Sequence, residues 1–128
     1  MIKKQKIEGT TIKLNRGDLL KFTLEIKKED GTSYSFEEGD KIVFSIYNKG
    51  KMNDKAVLLK EYETTPGTTS VQIECSQEDT KIGDLINKPI DYWYEIELNN
   101  EFTILGYDDE GAKLFKLFPE GSKIQWME

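Results

Sequence analysis

The chain has 128 residues, a net charge of −6, no histidine, one cysteine and a single arginine among its 18 basic residues. That length suits one domain with a core that needs no disulfide or metal support. The acidic balance excludes a nucleic-acid backbone as partner, the lone Cys75 excludes an internal disulfide, and no segment approaches the ~20 apolar residues of a membrane-spanning helix.

The N-terminus from Met1 to Lys6 is basic but leads into no apolar run, so it does not read as a secretory signal and the expected site of synthesis is the cytoplasm. Period-2 alternation then dominates, without a long amphipathic helix. Ile12 and Leu14 open it, and Asn15-Arg16-Gly17-Asp18 makes a turn. Leu20, Phe22, Leu24 and Ile26 alternate with Lys21, Thr23, Glu25 and Lys27, which predicts a strand with one wet face. After a turn at Glu29-Asp30-Gly31, Tyr34 and Phe36 predict a short strand, closed by Glu37-Glu38-Gly39-Asp40.

Ile42, Phe44 and Ile46 form a second inward face, followed by a polar loop over residues 48–55. The next strand has two competing faces, Val57 with Leu59, or Leu58, Lys60 and Tyr62. Thr64-Thr65-Pro66-Gly67 turns the chain into Val71, Ile73 and Cys75. Ser76 to Thr80 predicts a single helical turn, with a Ser cap and acids in the first turn. The chain changes direction at Ile82-Gly83-Asp84-Leu85. Tyr92, Tyr94, Ile96 and Leu98 give the strongest strand, and Asn99-Asn100 turns into Phe102 and Ile104. A turn over 108–111 precedes the last strand, Leu114 to Phe118, and a tail carrying Trp126.

About seven to nine antiparallel strands, with turns roughly every eight to twelve residues, predict an all-β, immunoglobulin-like β-sandwich. No linker divides it, so the expectation is a single domain over 1–128, with a core at about 10–118 and a short tail at 119–128. The short strands around Tyr34 and Val57 are the expected edges.

Chemistry-bearing residues are sparse. Without histidine the commonest general base, the Ser-His-Asp and Cys-His systems and the usual zinc sets are missing, so the reading is non-enzymatic, with no cofactor and no metal. Cys75 falls on an inward face with Val71 and Ile73 and reads as a packed thiol. Glu37, Glu38, Asp40, Glu95 and Glu97 are the carboxylates from which a glycosidase pair would be drawn. Asp108, Asp109 and Glu110, or Glu37 with Asp40, are acidic corners that lack the spacing of a calcium loop. Arg16-Gly17-Asp18 matches an integrin-binding tripeptide but sits where a turn is needed. Trp93 breaks the polar face of its strand, either as an outward binding residue or covered by the second sheet. Trp93, Tyr47 and Trp126 are the candidate interaction surface. Asp79-Thr80, Gly83 and Tyr92 or Tyr94 suggest a tyrosine corner, in which a phenol bonds upstream backbone at a sheet-crossing connection.

Taken in order, Arg16-Gly17-Asp18, Asp30-Gly31, Glu38-Gly39-Asp40-Lys41-Ile42-Val43-Phe44, Glu78-Asp79-Thr80 and Tyr92-Trp93-Tyr94-Glu95-Ile96-Glu97-Leu98 resemble the immunoglobulin-like domains of tailed-phage and prophage structural proteins. The likeness is to the N-terminal domains of baseplate upper proteins and spans about residues 12–118. Residues 87–89 lengthen one connection relative to that pattern, and no receptor-binding or trimerising segment follows. The resemblance implies a virion or tail component that contacts other phage structural proteins or itself, and that resides in the bacterial cytoplasm during assembly and then in the particle. The alternative is a carbohydrate-binding sandwich that stacks sugars on Trp93, Tyr47 or Trp126.

Overall fold

Side chains on a strand alternate between faces, so each alternating run buries one row and wets the other. A computed structural model describes residues 6–8, 10–28, 30–83 and 86–119, in which nine strands form two sheets. They are β1 (Lys6–Glu8), β2 (Thr11–Asn15), β3 (Leu20–Glu25), β4 (Lys41–Asn48), β5 (Leu58–Glu63), β6 (Ser70–Cys75), β7 (Ile90–Leu98), β8 (Phe102–Leu105) and β9 (Lys113–Phe118). The large sheet runs β1-β2-β9-β7-β4-β5, with β8 also on β7, and the small sheet is β3-β6. Among the described residues there is no helix, and hence none long and apolar enough to cross a membrane.

The two sheets close on one core, giving an all-β sandwich. Ile12, Leu14, Ile42, Phe44, Ile46, Tyr94, Ile96, Phe115 and Leu117 line it from the large sheet, and Leu20, Leu24, Ile73 and Cys75 from the small one. An edge-to-face contact ties the layers together, Phe22 of the small sheet and Phe44 of the large one with centroids 6.3 Å apart, and within the large sheet Phe44 meets Tyr94 at 5.7 Å. Cys75 is buried and free, and burial lifts its thiol to about 11, so it packs as a small hydrophobe.

Three expectations are corrected. The strands are not all antiparallel, because β2 pairs β9 in parallel, Ile12 opposite Phe115 and Asn15 opposite Phe118. No hairpin joins these two strands, so nothing in the connection forces opposite directions. Tyr34 and Phe36 form no ladder strand. An isolated bridge at Lys27–Ser33 and single bonds from Tyr34 N to Ile26 O and Phe36 N to Thr68 O hold that segment, which tucks Phe36 into the core. It is therefore no sheet edge, whereas the strand after Val57 is one. The basic N-terminus, unassigned by alternation, supplies β1.

The ambiguous face of β5 is resolved by its pairing. Ile46 faces Leu58, Phe44 faces Lys60 and Ile42 faces Tyr62, so Leu58 and Tyr62 join the core side and Leu59 looks out. Lys60, on the same row, meets Asp79 at 3.1 Å. The Ser76 turn forms as a capping-box exchange: Asp79 N donates to Ser76 Oγ (3.1 Å) and Ser76 N to Asp79 Oδ2 (2.9 Å), without propagating into a helix.

Four connections cross between the sheets, and polar side chains bind two of them, residues 16–19 and 76–89, to each other. Arg16 Nε donates to Ile82 O (3.1 Å) and Nη2 to Gly83 O (2.5 Å). Thr80 Oγ1 accepts from Gly17 N (3.1 Å) and donates to Asp18 O (2.7 Å). Arg16, Asp18 and Thr80 are all buried, so the tripeptide at 16–18 is an internal corner and not a displayed ligand. The tyrosine-corner expectation is met only in part. Tyr94 does donate to upstream backbone, but at Thr10 O in the β1–β2 turn, while the Tyr92 hydroxyl lies 3.4 Å from the position a Cβ would take on Gly83.

At the opposite end Asp40 fixes the start of β4. Its Oδ2 accepts from Tyr34 Oη (2.6 Å) and Glu37 N (2.8 Å), and its Oδ1 from Asn99 Nδ2 (2.9 Å). Asn99 and Asn100 both have positive φ (57° and 58°), as the central residues of a type I′ turn require, and Glu101 N closes the turn on Leu98 O at 2.9 Å.

Two outcomes are expected. Thr80→Val keeps the shape but strands the Gly17 amide and the Asp18 carbonyl, so urea unfolding should show a loss of about 1–3 kcal/mol. An unchanged midpoint would remove the cross-connection from the account of stability. The bonds from Asn99, the Glu37 amide and Tyr34 hold the Asp40 carboxyl below its ordinary range. Its stabilisation is therefore complete above the unfolded value and lost as pH falls through the folded one, between about pH 5 and pH 2. Asp40→Asn should lower Tm at neutral pH and narrow the gap between neutral and acid Tm, measured by thermal melts across that window.

Candidate functional site

The core consumes one face of the large sheet, and among the described residues no further layer of strands or helices covers the other. On that outer face, pairing sets Leu114 beside Trp93 and Trp93 beside Tyr47, with Val57 just beyond on the amide that donates to Ile46 O (2.7 Å). The next row carries Glu95, Ser45 and Leu59, and the row after it Thr103, Glu97, Val43 and Glu61. Aromatic, β-branched and leucine side chains thus run across four strands. Leu59 is 54% exposed and Val57 39%, while Val43 and Ser45, at 3% and 2%, lie closed beneath their larger neighbours.

Both open alternatives for Trp93 are decided by register. Tyr92 and Tyr94 are buried toward the small sheet, so Trp93 must point away from it, where it is half-buried. What covers it partly is the β8–β9 loop. Tyr107, 63% exposed, sets its ring 5.8 Å from that of Trp93 at a tilt of 56°. The loop can lie there because residue 106 is glycine. A Cβ at Gly106 would fall 2.7 Å from Thr103 Cγ2 and 3.4 Å from Glu95 Cβ. The loop is closed by Asp108 and Gly111, which bond each other's backbone, and by Lys113 Nζ on Asp108 Oδ2 at 2.7 Å.

Tyr47 joins this group through its hydroxyl, which donates to Glu95 Oε1 at 3.3 Å. Burial raises the Tyr47 phenol above its ordinary range. Burial is also the first cause that raises the Glu95 carboxyl, and the negative charge of Glu97 adds to it. Among the described residues no ion pair reaches Glu95 or Glu97.

Of the residues singled out in the sequence, the structure brings Trp93 and Tyr47 together as cross-strand neighbours, and Trp126 lies outside the described residues. Sequence reasoning missed Tyr107, Leu59 and Leu114. Tyr107 had no periodic signal, because it sits in a loop. Leu59 belonged to the strand whose face was unsettled. The acid candidates separate. Asp40 spends both oxygens on structural donors, Glu37 and Glu38 stand exposed at the corner before β4, and Glu95 and Glu97 project side by side from β7. Asp108 accepts from Glu110 N and Lys113, and among the described residues no three acids or thiols gather as a metal-ligating group.

Because the Glu95 carboxyl is raised, the folded state holds its proton more tightly than the unfolded one, and stability falls as pH rises from about 4.3 through the folded value. Glu95→Gln keeps an acceptor for Tyr47 and should raise Tm at neutral pH, with the gain vanishing below about pH 4. A gain independent of pH in thermal melts would show that charge is not its cause. The chain matches no protein-family model, no curated protein and no solved structure.

Proposed function

We propose that this chain is a non-enzymatic structural component of a tailed-phage or prophage particle, an immunoglobulin-like module that assembles by protein–protein contacts through the outer face of its large sheet. The observation that carries the reading is the outer-face row of half-buried Leu114, Trp93 and Tyr47 and exposed Val57, continued by Leu59 and capped by Tyr107. Monomeric domains rarely expose an apolar, aromatic-rich sheet face without a use for it, and aromatic anchors with an apolar surround are what protein interfaces are built on.

Strand order supports the immunoglobulin-like assignment. The pair β3-β6 corresponds to B and E, and the run β9-β7-β4-β5 to G, F, C and C′ of a variable-type sandwich. The phage assignment rests on the motif order in the sequence. Those motifs occupy architectural points of the fold: Arg16-Gly17-Asp18 and Glu78-Asp79-Thr80 at two crossings bound to each other, Glu38-Gly39-Asp40 before β4, and Trp93 on the outer face.

One observation favours carbohydrate binding as a second reading. Trp93 and Tyr47 stand side by side on adjacent strands, an arrangement that offers neighbouring rings to a sugar chain.

Particles purified after prophage induction of the source strain should contain the chain by mass spectrometry. Leu59→Glu, an exposed change expected to alter stability by no more than about 0.5 kcal/mol, should reduce its incorporation. Absence from gradient-purified particles would overturn the structural assignment. Saturable, Trp93-dependent fluorescence quenching by an oligosaccharide would transfer the face to the sugar-binding reading.

A further inference from the structure

We propose that the outer face takes a cationic side chain of its protein partner, lysine or arginine, held between the Trp93 and Tyr107 rings and the Glu95–Glu97 carboxylates. This rests on the protein-binding reading above and adds the chemistry of the partner. Three observations converge on a cation. The first is the ring pair. At 5.8 Å and a 56° tilt the two rings are neither stacked flat nor edge-on, and a cation within about 6 Å of a ring centroid is attracted to its face.

The second is charge. Three lysines near this face are engaged: Lys41 with Glu61 at 3.8 Å, Lys116 with Asp91 at 3.7 Å, and Lys113 with Asp108 at 2.7 Å. Glu95 and Glu97 are left facing each other's charge, with Tyr47 donating a hydrogen bond to Glu95. A partner ammonium or guanidinium is the complement that turns this repulsion into attraction. The third is position. The loop that brings Tyr107 to Trp93 also lies on Glu95, through the close approach at Gly106, so ring pair and carboxylate are built by one segment. The exposed Leu59 and Val57 supply apolar surface for the alkyl stem of a long basic side chain. A neutral sugar can hydrogen-bond to the carboxylate pair but leaves its charge uncompensated, and an anionic partner is repelled by it.

The test is an NMR titration of the full chain at low salt, following the Trp93 indole N–H, identified by its loss in Trp93→Phe. A tri-arginine peptide with blocked ends should shift that resonance and the Tyr107 ring, and the effect should fade with added salt. A tri-glutamate peptide should leave both unmoved. The Glu95→Gln/Glu97→Gln variant should bind the arginine peptide about tenfold more weakly, and Tyr107→Ala about fivefold. Equal shifts from both peptides, or unchanged affinity in the carboxylate variant, would overturn the proposal, as would shifts with choline or maltotriose but none with arginine. If arginine fails to bind while Leu59→Glu still blocks incorporation into particles, the cation assignment falls and the protein-binding reading stands. If incorporation is also unaffected, both fall.

Discussion

The buried bonds of Arg16 and Thr80 tie together two of the four places where the chain changes sheet, and the seating of β3 and β6 on the large sheet depends on them. Arg16 closes the carbonyls of Lys81, Ile82 and Gly83, and Thr80 reaches back to Gly17 and Asp18. Connections of this kind carry backbone polar groups that cannot all find ladder partners, and burying them unpaired would cost about 1–3 kcal/mol each. A guanidinium suits the task because its donors are fixed in a planar fork that can serve several carbonyls at once. The one arginine in the chain is used there, inside the fold.

With the crossings fixed, β3 and β6 can lie over only part of the large sheet, and their inward residues meet those of β2, β4, β7 and β9. The long strand β7 is shared at its outer edge. β9 pairs its first half, from Ile90 to Tyr94, and β8 its second, from Ile96 to Leu98, with an irregularity between Ile96 and Glu97. That division sends the β8–β9 loop over the outer face, where Gly106 admits it and Tyr107 lands on Trp93. The site is therefore a by-product of how β7 divides its partners, not of a local motif.

On the proposed reading, function on such a surface follows from area and charge. Aromatic rings give contact area at small entropic cost, and the acidic pair beside them supplies direction. The same acids that strain the free domain are the ones a basic partner would relieve, which links the cost of folding with Glu95 in place to selectivity in binding.

Alternation in the sequence determined which rows of β2, β3, β4, β6 and β7 are buried, because a period of two admits only two assignments and the apolar row goes inside. It also located the turns, from Asn15-Arg16-Gly17-Asp18 to Asn99-Asn100, since those residues tolerate the required backbone angles. It did not determine direction, because β2 and β9 are joined by no hairpin and their parallel pairing is set by which sheet edge remained free. Nor did it settle β5, where both rows carry apolar residues and only the pairing with Ile42, Phe44 and Ile46 selects one. Trp93 was legible as an interruption of a polar row, yet its outward direction needed the small sheet to claim Tyr92 and Tyr94. Tyr107 had no periodicity to read and became part of the surface only through tertiary contact, because a loop residue's neighbours are set by where the strands beside it end.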